Sequence, residues 1–189
     1  GLGTMSTQNA NAVAITGGTA TGLTNLGADY LQFNTAATVT PAVGKIWWDG
    51  GTTVNVGMTA NVVSHVSEDL FYYIKASSAI TKGDVVMFTG AVGNSGVATG
   101  APASGVTDGS YIMGVAAESM ALNAFGLVQF QGTLRGVNTS TYADGDILWY
   151  DPAVTGGLTK TKPSAPNVKV QMAAVISAAN NGTLLIRVT

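Results

Sequence analysis

Between residues 126 and 166 the chain alternates short apolar runs with turn chemistry, and no helix fits between them. Val128 and Phe130 alternate with polar or small neighbours, and Gly132 interrupts the run. Ile147, Leu148, Trp149 and Tyr150 form a second run, framed by Asp144-Gly145-Asp146 and Asp151-Pro152. Period-two runs bounded by such residues are strand signals. Gly145 tolerates a positive φ, while Pro152 fixes φ and removes the amide that a continuing ladder would need.

The same pattern stands earlier in the chain. Lys82-Gly83-Asp84-Val85-Val86-Met87-Phe88 can be laid on Asp144-Gly145-Asp146-Ile147-Leu148-Trp149-Tyr150 position for position. Ile112-Met113-Gly114-Val115-Ala116 resembles Met172-Ala173-Ala174-Val175-Ile176, and Gly126-Leu127-Val128-Gln129-Phe130 resembles Gly182-Thr183-Leu184-Leu185-Ile186. These matches predict two related β-units with loops of different length. A chance likeness among Gly/Val-rich segments is the competing reading.

Composition narrows the function. Hydrophobic residues make up 46% of the 189 positions but charged residues only 10%, against roughly 25% in an ordinary soluble domain. Uncharged β-surface is an aggregation hazard for a lone chain, and burial between subunits is one remedy. A homo-oligomer is therefore expected. A formal net charge of −2 gives no electrostatic footprint for nucleic acid. Lys160, Lys162 and Lys169 cluster without interleaved aromatics and read as a solvated loop. The absence of cysteine removes disulfides and thiolate metal sites. No apolar run approaches the ~18 residues of a membrane span, and no signal pattern opens the sequence, so membrane insertion is not expected. Gly1 is compatible with Met removal or with a piece of a longer chain.

In residues 1–29, Val13 and Ile15 would share one face of a short strand before Gly17-Gly18. Such a segment cannot offset its ordering entropy alone; three copies about one axis could, and a flexible linker is the other reading. Leu31 and Phe33 alternate in the next stretch. Lys45-Ile46-Trp47-Trp48 then meets Thr52-Thr53-Val54-Asn55-Val56 across Asp49-Gly50-Gly51, a hairpin signal. Trp47 and Trp48 point to opposite faces, so one can enter a core while the other meets a neighbouring subunit. Val62, Val66, Leu70 and Ile74 sit at helical spacing, yet the composition of Leu70 to Ile74 favours a strand over 70–76, and 60–69 stays open. Residues 89–109 read as a long small-residue loop with one weak strand at Gly96 to Thr99.

Catalytic chemistry finds little footing. His65 is the only histidine, with Asp69 four residues on, but no G-x-S-x-G accompanies it, and it reads as a loop or packing residue. Asp144, Asp146 and Asp151 miss the spacing of a calcium loop and suit turns better. The glycines at 17, 18, 50 and 51 open no helix and cradle no phosphate. No catalytic, metal or cofactor-binding residue is assigned, and no cofactor is expected. A glycosidase-type carboxylate pair is the one enzymatic reading left, and sequence separation does not speak to it. Aromatics are the better lead: Trp47, Trp48, Tyr72, Tyr73, Tyr111, Tyr142, Trp149 and Tyr150 could be core, or could stack on sugars and anchor interfaces.

With those residues laid out, the chain resembles a bacteriophage tail-fibre module, a recurrent structural piece of virion appendages. NAVAITGGTATGL at 11–23, YLQFNTAATVTPAVGKIWWDGGTTVNVGM at 30–58, RGVNTSTYADGDILWYDPAVTGGLTKTKPSAP at 135–166 and GTLLIRV at 182–188 carry the likeness. The resemblance implies an all-β homotrimer on the virion. Residues 1–29 would be a shaft or docking segment, 30–69 a hairpin collar and connector, and 70–189 a β-barrel or β-sandwich head of two related units. Val13, Ile15, Leu31, Phe33, Trp47 and Trp48 are the subunit-interface candidates. The implied function is non-enzymatic attachment to a host-surface glycan or protein, alongside other virion proteins of the shaft, tail or capsid. The Lys-Gly-Asp-Val-Val and Asp-Gly-Asp-Ile-Leu turns are also similar to small β-barrel capsid decoration proteins, which makes a capsid-bound decoration or head-fibre protein the alternative. A glycan-cleaving fibre is the third.

Overall fold

The computed structural model describes residues 30–33, 38–49 and 53–189. The shaft or docking segment expected at 1–29, with Val13 and Ile15, lies outside them. The chain divides between Phe33 and Asn34; before that point Leu31 is exposed and Phe33 half-buried. Everything below concerns the part from residue 38 onward.

The fold is all-β: the described residues hold twelve strands and one 3-10 turn, at Gly109–Tyr111. The hairpin forms as its turn residues predict. Strands β1 (Ile46–Trp48) and β2 (Val54–Gly57) pair antiparallel with Trp47 opposite Asn55. The segment left open at 60–69 supplies a third strand, β3 (Val63–His65), which pairs antiparallel with β2. The helical spacing there was incidental, because Val62 turns into the main core while Val66 and Leu70 stay exposed.

Five strands close a barrel: β4 (Leu70–Ala76), β5 (Val85–Ala91), β6 (Ala98–Pro102), β7 (Ile112–Ala116) and β8 (Phe125–Val137), in the ring order β8-β4-β6-β5-β7 and back to β8. The expected strand over 70–76 is β4. Within the loop expected over 89–109, the weak strand placed at Gly96 to Thr99 is present but lies two to three residues later. This strand is β6, lying between β5 (antiparallel) and β4 (parallel). Small residues are what this strand needs, since a Cβ on Gly100 would meet Ile74 Cδ1 at 2.7 Å and Val86 Cγ1 at 2.9 Å. Ile74, Ala76, Val86, Ala116 and Val128 fill the ring, with Ile80 and Met120 bridging one end. The barrel is a packed core with no lumen.

Strand β8 is thirteen residues long and outlasts the barrel. Its second half carries another sheet, in order β8-β12-β11-β9-β10, from β12 (Gly182–Arg187), β11 (Gln171–Ser177), β9 (Ile147–Tyr150) and β10 (Leu158–Thr159). Leu134, Leu148, Tyr150, Met172, Leu184 and Ile186 from this sheet pack against Val85, Val115 and Leu127 from the outside of the barrel, forming the larger core. Each fully buried aliphatic or aromatic side chain there contributes about 1.5–3 kcal/mol relative to exposure.

The two units are locally alike. The Asp84 carboxylate accepts the Thr81 amide at 2.8 Å, and that of Asp146 accepts the Ala143 amide at 2.9 Å. The intervening Gly83 and Gly145 take φ of +95° and +87°. Gly83 donates to the Ala116 carbonyl where Gly145 donates to that of Val175. Ala116 is therefore equivalent to Val175, one residue away from the sequence match. The third match holds in register, because Val128 pairs with Ala116 as Leu184 pairs with Val175. The repeat is β5-β7-β8 against β9-β11-β12.

Candidate functional site

The inner face of the small sheet follows from register. Trp47 lies opposite Asn55, and Asn55 opposite His65, so these three form one cross-strand row. The row borders a cleft of about 550 Å³ whose other wall comes from β8 and the turn before β5, through Gln129, Thr133, Arg135 and Lys82. Thr38, Val39 and Pro41 complete one rim.

Behind the row sits Asp69, its side chain 1% exposed. Its Oδ2 accepts the His65 amide at 3.0 Å and the His65 Nδ1–H at 2.6 Å. Its Oδ1 accepts the Gln129 side-chain amide and the Thr133 backbone amide, each at 2.9 Å. All four neighbours are donors, so an ionised carboxylate is fully used. Gly132 makes room for it: φ is +110°, and a Cβ there would collide with Asp69 Oδ1. The glycine that interrupts the alternation in the sequence thus marks where a buried acid crosses β8.

With Nδ1–H committed to Asp69, His65 Nε2 is the acceptor, and Arg135 Nη1 donates to it at 3.3 Å. An Asp-His pair is therefore present, but a guanidinium occupies the place where a nucleophilic hydroxyl would stand. The pair holds a cation at the mouth of the cleft. Among the described residues neither Arg135 nor Lys82 has a carboxylate within 4 Å. Lys82 is partly buried, which lowers its pKa, while the charge of Glu118 nearby opposes that shift. A Cβ on Gly136 would stand 3.0 Å from Lys82 Nζ, so the ammonium crosses β8 beside the residue next to Arg135. The acid that borders the cleft, Asp49, has its Oδ1 engaged by the Thr53 amide at 3.2 Å.

His65, expected as a loop or packing residue, lies in β3 and joins the barrel to the small sheet. Glu118 makes a second junction, its Oε2 accepting the Thr59 hydroxyl at 2.9 Å. Of the interface candidates, Trp47 is buried within its own chain and Trp48 is half-buried. Asp146 and Asp151 accept the Ala143 and Ala153 amides of their own turns, as their spacing suggests, whereas Asp144 accepts the distant Ala178 amide. Among the described residues no group of three or more His, Asp or Glu side chains converges as a metal site.

The aromatics divide. Tyr150 is fully buried, and Tyr142 donates its hydroxyl to the Leu158 carbonyl at 2.8 Å. Lys162 is not simply solvated: its ammonium lies over the Trp149 ring, 5.0 Å from the centroid. On β4 and β8, Tyr72 stacks on Phe130 and Tyr73 on Phe125, with centroids 4.5 and 5.5 Å apart. Tyr72, Tyr73 and Phe125 are nonetheless 45%, 56% and 48% exposed.

Comparison with protein-family models, with curated proteins and with solved structures returned no match.

Proposed function

We propose that the chain is a bacteriophage virion structural protein, the distal part of a trimeric fibre that attaches to a host surface and performs no catalysis. The observation that carries this reading is the pair of exposed aromatic stacks on β4 and β8, on a chain with only 10% charged residues. Leu70, at the start of β4, is exposed as well. Large apolar side chains on a charge-poor β-surface favour burial against another protein or stacking on a receptor. Several copies on one appendage would add avidity to weak single contacts.

A second reading draws on the matched turns at Asp84 and Asp146. Their common hydrogen bonding supports the likeness to capsid decoration proteins, and makes a capsid-bound head fibre the alternative. Two measurements separate these readings. Light scattering on the purified chain across a dilution series should give a concentration-independent mass three times 19.1 kDa for the fibre. Gold-labelled antibody against the chain should decorate tail appendages for the fibre and capsid faces for the alternative. No labelling of phage particles rejects both.

A further inference from the structure

We infer that the outer face of the sheet β8-β12-β11-β9 is a pairing surface, and that its partner is the same face of a second copy of the chain. The inference goes beyond the virion reading. It adds a two-fold contact, which a trimeric fibre would use towards a neighbouring fibre and a capsid-bound head towards a neighbouring head.

The internal repeat supplies the argument. In the first unit Val85, Val115 and Gln129 stand side by side across β5, β7 and β8. In the second, Ile147, Ala174 and Leu185 hold the equivalent places across β9, β11 and β12. The first row is sealed, at 0%, 0% and 1% exposure, and its two valines lie under the inner face of the second sheet. The second row is open: Ile147 is 40% and Leu185 42% exposed, with Ala174 half-buried between them. The open row is nonetheless the more apolar of the two, since Leu185 stands where the buried row has Gln129. Ile176, exposed on the same strand as Ala174, widens the patch. Where the chain covers this row itself, the cover is a β-sheet of the same repeat, packed face to face.

Shape selects a second copy. Thr133 lies opposite Leu185 on β8 and extends the row, which then reads large, small, large, small. A two-fold axis parallel to the strands, midway between β11 and β12, sets Leu185 of each copy over Ala174 of the other and Ile147 over Thr133. Every large side chain then meets a small one, as an isologous contact requires. Thr133 and Gly132 border a shallow depression of about 440 Å³ beside Leu185, which receives the incoming isoleucine.

Charge permits the pairing. No ionisable group lies within the row. At its Ile147 end Asp144 and Asp146 stand with Lys160 and Lys162. At its Thr133 end Glu68 and Asp69 stand with Arg135 and Arg187. Two acids and two bases at each end let one end approach the other without net repulsion. The face spans four strands, roughly 20 Å in each direction, at the low end for a specific interface. Pairing is therefore reversible and grows with concentration.

The test is sedimentation of the whole chain from about 10 µM to about 1 mM, the range of weak contacts. The mean mass should climb towards twice its dilute value, while light scattering at lower concentration reads the unpaired mass. Ile147→Lys and Leu185→Lys should each abolish the climb and leave the thermal melt in place. The native chain has no cysteine, so single introduced thiols report the axis. A short bismaleimide should join Ile147→Cys to Thr133→Cys in a mixture and join neither variant to itself. A flat mass up to about 1 mM overturns the pairing. A climb untouched by both lysine variants overturns the face, and Ile147→Cys joined to itself overturns the axis. The dilute mass is only the baseline here, so failed pairing leaves the fibre and capsid readings as they stand.

Discussion

Replacing Asp69 with alanine removes one carboxylate and leaves four donors without their acceptor: two backbone amides, the Gln129 amide and the His65 ring. Hydrogen bonds to charged groups contribute about 1.5–3 kcal/mol each, but these share one acceptor and do not add. Water cannot replace the acceptor easily, because the Asp69 side chain is 1% exposed and Gln129 is equally buried. Breaking a buried charged network by removing one partner costs about 3–5 kcal/mol. Against a total stability of about 5–15 kcal/mol this is a large share. For a domain of this size each kcal/mol lowers Tm by roughly 2–4 °C, so Asp69→Ala should melt roughly 6–20 °C below the parent chain. Asp69→Asn keeps one acceptor oxygen and should lose about half as much. Arg135→Gln, at the exposed end of the same chain of bonds, should lose no more than about 1 kcal/mol. Calorimetry and urea denaturation give both quantities. An Asp69→Ala protein melting within about 2 °C of the parent would refute the account of a buried keystone joining β3, β4 and β8.

Tyr150→Phe should be neutral or stabilising by about 1 kcal/mol in urea denaturation, since the buried hydroxyl makes no hydrogen bond and a backbone group of Val106 lies near it without reaching bonding geometry; a loss above about 1 kcal/mol would show a hidden partner. Partial burial raises the pKa of Asp84, against the opposing hydrogen bond from the Thr81 amide. The folded state therefore holds that proton more tightly than the unfolded chain, and ionised Asp84 works against folding above its folded-state pKa. As pH falls through that raised value the parent chain should gain stability relative to Asp84→Asn, measured by paired denaturation midpoints; a difference that moves the other way contradicts the sign.

Local chemistry made part of this fold legible. The hairpin at Trp47 and Trp48, strand β4, and the two Gly-Asp turns depend on residues adjacent in sequence, and each forms where its turn residues place it. Strand β6 was only partly legible, as a weak strand at Gly96 to Thr99, because Gly100 is a strand residue only through its position against Ile74 and Val86. Nothing within Ala98–Pro102 announces burial. The one-residue slip in the second repeat match has a similar origin, since small apolar residues on β7 and β11 leave register to hydrogen bonds that sequence does not display. The cleft was least visible. Asp69 meets Gln129 and Thr133 across sixty or more residues, and its sequence trace is Gly132, which reads equally well as a simple strand break. The aromatic inventory omitted Phe125 and Phe130, the stacking partners of Tyr73 and Tyr72, and was silent about depth, as the opposite fates of Tyr150 and Tyr73 illustrate.

The length of β8 has a consequence for how such a head can be reused. Leu70, where β4 begins, lies opposite Gln131, and so does Arg187, near the end of β12. The two flank β8 from either side, which sets the way in and the way out of the head about two strand spacings apart, roughly 10 Å. Ends that close can be joined by a few residues, provided the small sheet stays attached, because Val62 belongs to the larger core and His65 to the Asp69 network. Both the first and the last strand of residues 70–187 are thus anchored at the midpoint of a single strand.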